Sequence, residues 1–162
     1  MASTQQKRSQ MRHFLNTAPS AGTPTWSWIN TGHAALTTSY NAETDTQQWI
    51  GEDSGSTFVM GYAPTIDTEQ VAYAGDPVFD FVDNLSWTLA KGAAAETDYV
   101  EVRLYKGTGP QYPARRFRVS ISIESEGDAA TDPLSRSYTI NFIGDPTFGT
   151  FNPQTSSFIA TP

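Results

Sequence analysis

Residues 116–124 read RFRVSISIE, and the fold is decided there. Phe117, Val119, Ile121 and Ile123 alternate with Arg118, Ser120, Ser122 and Glu124. A period of two puts one set on each side of an extended chain, so this is a strand with an apolar and a polar face. Working outward, residues 98–105 repeat the pattern: Val100, Val102 and Leu104 on one side, Tyr99, Glu101, Arg103 and Tyr105 on the other. Gly107, Gly109, Pro110 and Pro113 lie between the two and make a long hairpin connection. Residues 136–143 give a third strand, with Tyr138, Ile140 and Phe142 on one face. Earlier candidates are 11–16, 25–30 with Trp26 and Trp28 sharing a face, and 57–73, which Pro64 bends or breaks. A last extended segment covers 154–161. The pattern predicts a mainly β, antiparallel domain.

One helix is expected, at 76–90. Asp76 suits the N-cap, and Pro77 sits at the first helical position, where its missing N–H costs nothing. Val78, Phe81, Val82, Leu85 and Leu89 recur at helical spacing, and Gly92 offers a stop. That stripe packs on a sheet. Residues 40–56 (YNAETDTQQWIGEDSGS) lack any period and read as a long polar loop carrying Trp49 and Ile50. A loop of that length in a compact domain usually has a job, and apolar residues on it make sense if a partner covers them.

The length, 162 residues, suits one domain, and 9 Phe, 4 Trp and 7 Tyr argue against a disordered chain. The absence of cysteine excludes disulfides, a zinc ribbon and a thiol nucleophile. Two histidines, His13 and His33, exclude a histidine-rich metal site. No apolar run approaches the roughly 18 residues of a membrane span, and the polar N-terminus reads without a signal-peptide core. The net charge of −7 argues against a protein that grips nucleic acid by its phosphates, but not against a surface that nucleic acid slides past. The charges are segregated. Residues 1–12 carry Lys7, Arg8 and Arg12 in a Ser/Thr/Gln-rich arm, expected to be flexible ahead of a single domain at 13–162. From Glu43 to Glu101 there are 12 acids and one base, Lys91; then come Arg103, Lys106, Arg115, Arg116 and Arg118. Blocks of opposite sign often meet within one subunit or between copies.

No catalytic set stands out. Asp67/Glu69 and Glu124/Glu126 sit at i, i+2, as on one strand face, a spacing that any acidic solvent face also produces. Asp80 and Asp83 fall in the first turns of the helix, where its dipole favours anions. GEDSG at 51–55 lacks the alternating ligands of a calcium loop, and no nucleophile elbow or phosphate cradle is present.

Several stretches in order resemble the major tail tube proteins of long-tailed bacteriophages and related prophage tails. They are FLNTAPSAGTPTWSWINTG (14–32), YNAETDTQQWIGED (40–53), GYAPTIDTEQVAYAGDPVFDFV (61–82), VEVRLYKG (100–107), YPARRFRVSISIESEGDA (112–129) and SYTINFIGDPTFGTFN (137–152). A GDP-x-F element occurs twice, at 75–79 and 144–148. The resemblance implies an antiparallel β-sandwich or partial barrel with one flanking α-helix, a long stacking loop and an extended N-terminal arm. It implies a structural virion protein without enzymatic activity or cofactor. Six copies form a ring, and rings stack into the tail tube through which the genome and the tape-measure protein pass. Partners are then the chain itself, the tape-measure protein and the tail-end terminator proteins, with DNA passing without specific binding. The location is the virion tail, assembled in the host cytoplasm.

By that resemblance residues 40–56 match the ring-stacking loop, with Thr44, Asp45, Gln48, Trp49, Ile50 and Glu52 as contact residues. Asp67, Glu69, Glu101 and Glu124 are the candidate acids of the lumen. The alternative from another class is a monomeric β-sandwich that binds carbohydrate or a host surface, with Trp26, Trp28, Trp49 and Trp87 as its stacking platform.

Overall fold

A computed structural model describes residues 4–162. In chain order the strands and helix are β1 (Met11–Asn16), β2 (Trp26–Trp28), β3 (Thr37–Ser39), β4 (Ala42–Gln47), β5 (Ser56–Tyr62), β6 (Thr65–Val71), α1 (Pro77–Trp87), β7 (Glu96–Arg103), β8 (Tyr112–Gly127), β9 (Ser135–Asn152) and β10 (Ser157–Ala160). Eight strands make one antiparallel sheet, in the order β2-β1-β7-β8-β9-β6-β3 with β10 on the far end of β9. β4 and β5 form a separate two-stranded hairpin. The mainly β, antiparallel architecture with one flanking helix is thus present. Residues 1–3 of the expected arm lie outside the described residues. Arg8–Gln10 form a 3-10 turn, and β1 takes in Met11 and Arg12.

The long β8–β9 pair is the spine of the sheet. Its apolar side faces α1: Val119, Ile121, Tyr138 and Ile140 pack with Val78, Val82 and Leu85 of the helix in the main core. The helix begins as its sequence dictates, with the Asp76 carboxylate accepting from the Phe79 N–H and Pro77 following at the first position. It ends at Trp87, before Leu89, which lies past the helix in a left-handed conformation and is exposed. The stripe therefore stops at Leu85. Arg136 of β9, almost fully buried, ties helix to sheet: its guanidinium meets Asp83 at 2.6 Å and Glu126 at 3.0 Å, and lies over the Phe79 ring.

A second core lies on the opposite side of the same sheet, where Phe14, Trp26, Val100, Val102, Ala114 and Phe151 pack together. β7 is consequently buried on both sides, with Tyr99, Val100, Glu101 and Val102 all inaccessible. The half-polar strand expected at 98–105 is instead a central strand, and Leu104 and Tyr105 belong to a 3-10 turn that follows it. Two register shifts in the β8–β9 pair, at Arg116/Arg118 and Ile123/Ser125, also alter what alternation implies. The second leaves Glu124 without a register partner, so Glu124 and Glu126 do not share a face. Glu124 accepts from Ser122, whereas Glu126 turns to the helix side and accepts from Ser86 and Arg136.

The two GDP-x-F elements have different conformations around the same left-handed glycine. Gly75 (φ +82°) leads into the helix cap, while Gly144 (φ +66°) opens the irregular stretch of β9 opposite Phe117. Asp76 has a second duty, since it accepts from the buried Gln70 amide at 2.6 Å. Asp76→Ala should therefore cost about 2 kcal/mol, the lost cap plus a buried donor left without its acceptor. Urea unfolding should show a lower midpoint at unchanged slope, with Asp76→Asn recovering part of the loss.

Candidate functional site

Directly opposed residues in an antiparallel sheet share a face, so the register defines the exposed side of β7-β8-β9-β6. Across it run Glu96, Ser120, Asn141 and Thr65 in one row and Ser122, Thr139 and Asp67 in the next. Thr139 donates to Asp67 at 2.7 Å, Asn141 to Ser122 at 3.1 Å, and Ser122 to Glu124 at 3.1 Å. Asp67, Glu69 and Glu124 border one shallow depression with Ser137 and Thr139. Toward β7, Arg116 pairs with Asp98 at 2.9 Å and Arg118 with Glu96 at 3.2 Å. The face thus carries five carboxylates (Asp67, Glu69, Glu96, Asp98, Glu124) against two guanidiniums, a net −3 on a lattice of short hydroxyl and amide side chains. Such a surface is wet, acidic and offers little for a ligand to grip.

Glu101 does not belong to it. Its register partners are His13 and Arg115, which places it on the opposite side of β7, and its side chain has 0% exposure. Arg115 meets one carboxylate oxygen at 2.9 Å and Arg103 the other at 3.0 Å. Burial pushes the Glu101 carboxyl up, but the hydrogen bonds and charges of the two arginines outweigh it and hold the group below the usual range. Glu101 is an internal charge, not a solvated one, because the helix-side face that it shares with Tyr99 is closed over by chain. The same Arg115 reaches Tyr40 Oη at 2.7 Å, at the root of the β4–β5 hairpin, where Tyr40 and Tyr62 stack edge-on. Arg115 thereby fixes the hairpin root to the sheet.

The hairpin corrects the expected structureless loop. Residues 42–47 pair with 56–62 through a bulge at Glu43/Thr44, and only 48–55 form the turn. All six predicted contact residues are on it and exposed: Thr44 and Asp45 on β4, and Gln48, Trp49, Ile50 and Glu52 at the tip. Ile50, at 109%, has no shelter at all. The sequence reading missed the second half of the element, where Phe58, Val59, Met60 and Tyr62 are exposed together on β5. Four acids (Glu43, Asp45, Glu52, Asp53) and no base occupy residues 42–62. Of the tryptophans, Trp26 is core; Trp28, Trp49 and Trp87 are exposed on a strand edge, the hairpin tip and the helix end, three separate elements.

Of the two histidines, His13 is buried and opposes Glu101 across β1 and β7, while His33 is half-buried and bridges to Gln70 of β6. His13 hydrogen-bonds Tyr99 through Nδ1, and His33 Nε2 meets Tyr138 Oη at 2.8 Å. Burial pushes the His13 pKa down to about 4, helped by Arg8 and Arg115 and opposed by Glu101. Burial also lowers His33, against its contact with the Thr31 carbonyl and the charge of Asp76. Among the described residues, no group of three or more His, Asp or Glu side chains is placed to hold a metal ion.

No protein-family model and no curated protein matches this sequence. Among solved structures, the chain is similar to one from the tail of an empty GTA particle, computed with helical refinement and C6 symmetry. The TM-score is 0.63 at 15% identity, over 89% of this chain and 98% of that one. The shared property at that identity is the fold.

The histidines make stability depend on pH. The unfolded chain protonates them near pH 6.5, whereas folded His13 stays neutral until about pH 4. The unfolded state therefore binds more protons in that window, and stability falls as pH drops from about 6.5 to 4, by on the order of 3 kcal/mol from His13. His33 acts in the same direction, and Glu101, depressed in the fold, adds a further loss at lower pH. Urea midpoints at pH 7 and pH 4.5 should differ accordingly, and His13→Asn should flatten the difference.

Proposed function

We propose that this chain is the subunit of a phage-type tail tube: copies close into hexameric rings, the rings stack, and the bore conducts the genome. The observation that carries this reading is the near end-to-end fold likeness to a chain of a C6-symmetric tail. Two surfaces of the subunit supply what such an assembly needs. The acidic, hydroxyl-rich face of β7-β8-β9-β6 suits the lumen, where repulsion of phosphate lets DNA slide. At physiological salt the field extends only about 8 Å, which is useful in a narrow channel and negligible on an open surface. Asp67, Glu69 and Glu124 are the lumen acids in this reading, while Glu101 acts inside the subunit.

The β4–β5 hairpin suits contact between rings. A two-stranded hairpin with no buried face is marginal in water, and four large apolar side chains in its second strand remain uncovered. A neighbouring ring would cover them. The tape-measure and terminator proteins are partners in this reading, and the location is the tail of a virion assembled in the host cytoplasm. No chemical step is required.

Negative-stain microscopy of the purified protein over a concentration series tests the proposal. Rings and tubes are expected at high concentration, and a monomer at every concentration would favour the solitary binding domain. Replacing residues 43–61 with a two-glycine link should leave a folded subunit, because the sheet and both cores lie outside the hairpin, but no stacked tubes. Long tubes from that variant would remove the hairpin from the stacking role. Asp67→Asn, Glu69→Gln and Glu124→Gln together should leave tubes intact while increasing the DNA they retain at low salt, measured by co-sedimentation.

A further inference from the structure

The first 42 residues contain no acid, yet they hold Lys7, Arg8 and Arg12. Among the described residues none of these three has a carboxylate partner, whereas Arg103, Arg115, Arg116, Arg118 and Arg136 are all paired. Beside this N-terminal cluster lies a groove of about 420 Å³ between the N-terminal turn, β1 and the 29–37 segment. Arg8 lines it, held by donation to the Met11 and Leu36 carbonyls, and Arg12 stacks at 4.5 Å on Trp28, which also borders it. The wall is mixed, with Ile29 and Leu36 beside His13. The groove therefore offers positive charge and an aromatic rim.

One segment of the same chain has the complementary set. The hairpin tip presents Trp49 and Ile50 to solvent, flanked by Asp45, Glu52 and Asp53 with no base nearby. We propose that this groove is the seat for the hairpin tip of a second copy, with Trp49 and Ile50 entering it and the tip carboxylates meeting Arg8 and Arg12. The inference rests on the tube reading and adds the receiving site. Tip and groove are different patches of one surface, so the contact is heterologous and repeats from copy to copy. It joins opposite charges and covers the exposed apolar residues of the hairpin tip, which fixes both register and direction of stacking.

The chain has no cysteine, which permits an unambiguous test. Ile50→Cys, labelled with a benzophenone maleimide, is irradiated in assembled protein and the cross-linked peptides are mapped by mass spectrometry. Attachment within residues 7–13 or 28–37 of another copy is expected; attachment confined to any other region overturns the seat while leaving the tube reading standing. In parallel, Arg8→Glu with Arg12→Glu should raise the concentration needed for tubes about tenfold or more. Glu52→Arg with Asp53→Arg should do the same, and the four changes together should recover assembly. Circular dichroism confirms that each variant folds. Assembly indifferent to either reversal, or no recovery on combination, also overturns the seat. If the unaltered protein forms neither rings nor tubes, the tube reading itself fails and the seat with it.

Discussion

The register of β8 against β9 is the constraint on which the rest of the molecule depends. Strand side chains alternate, so a slip of one residue would turn Val119 and Ile121 to water and bring Ser120 and Ser122 against the helix. Held in register, the pair presents an apolar side that α1 covers and a polar side left open beyond the second core. Both neighbours inherit that sidedness: β6 places Ile66 and Thr68 inward and Asp67 and Glu69 outward, and β7 aligns Asp98 and Glu96 with Arg118 and Ser120. The bulges are where the inheritance is edited. Without the Ile123/Ser125 bulge Glu126 would point away from the helix, and Arg136 would lose one of its two carboxylates.

That sidedness explains which parts of the fold were legible in the sequence. RFRVSISIE was readable because one face of β8 is buried and the other wet, the condition under which alternation is written into residue types. The helix start was readable because a cap and a proline are local signals. β7 misled because it is buried on both sides, and Glu101 looked like a surface acid when only its arginine partners, 2 and 14 residues away, make its burial tolerable. The hairpin strands were invisible for the opposite reason. Neither face of AETDTQ packs on anything within the subunit, so selection for alternation has no purchase there. The Glu124/Glu126 split depends on one inserted residue that leaves no compositional trace.

Charge follows the same division between inside and outside. The basic block of β7 and β8 is consumed internally, by Glu96, Asp98 and Glu101, in pairs across adjacent strands or along one strand. Such pairs add little stability where they are exposed and matter chiefly in fixing which strand lies beside which. Glu101 is the exception: two guanidiniums hold it in a closed site, and one of them reaches on to Tyr40. The orientation of the hairpin root is thereby set by a buried charge in the sheet.

Three surfaces carry one sign in excess, acidic on the hairpin and the open sheet face, basic at the N-terminal end. A monomer gains nothing from that arrangement, since screened surface charges about a Debye length apart scarcely interact. It becomes useful once copies meet, because two patches of opposite sign on one chain define a repeat with a direction. In the proposed tube the roles of the two acidic surfaces then separate: the hairpin's acids are neutralised by a neighbour, and the sheet's acids stay solvated in the bore. Added salt would weaken the stacking contact through its ion pairs, yet leave the apolar contribution of Trp49 and Ile50 intact. The two kinds of contact therefore act together, charge selecting the register and apolar burial holding it.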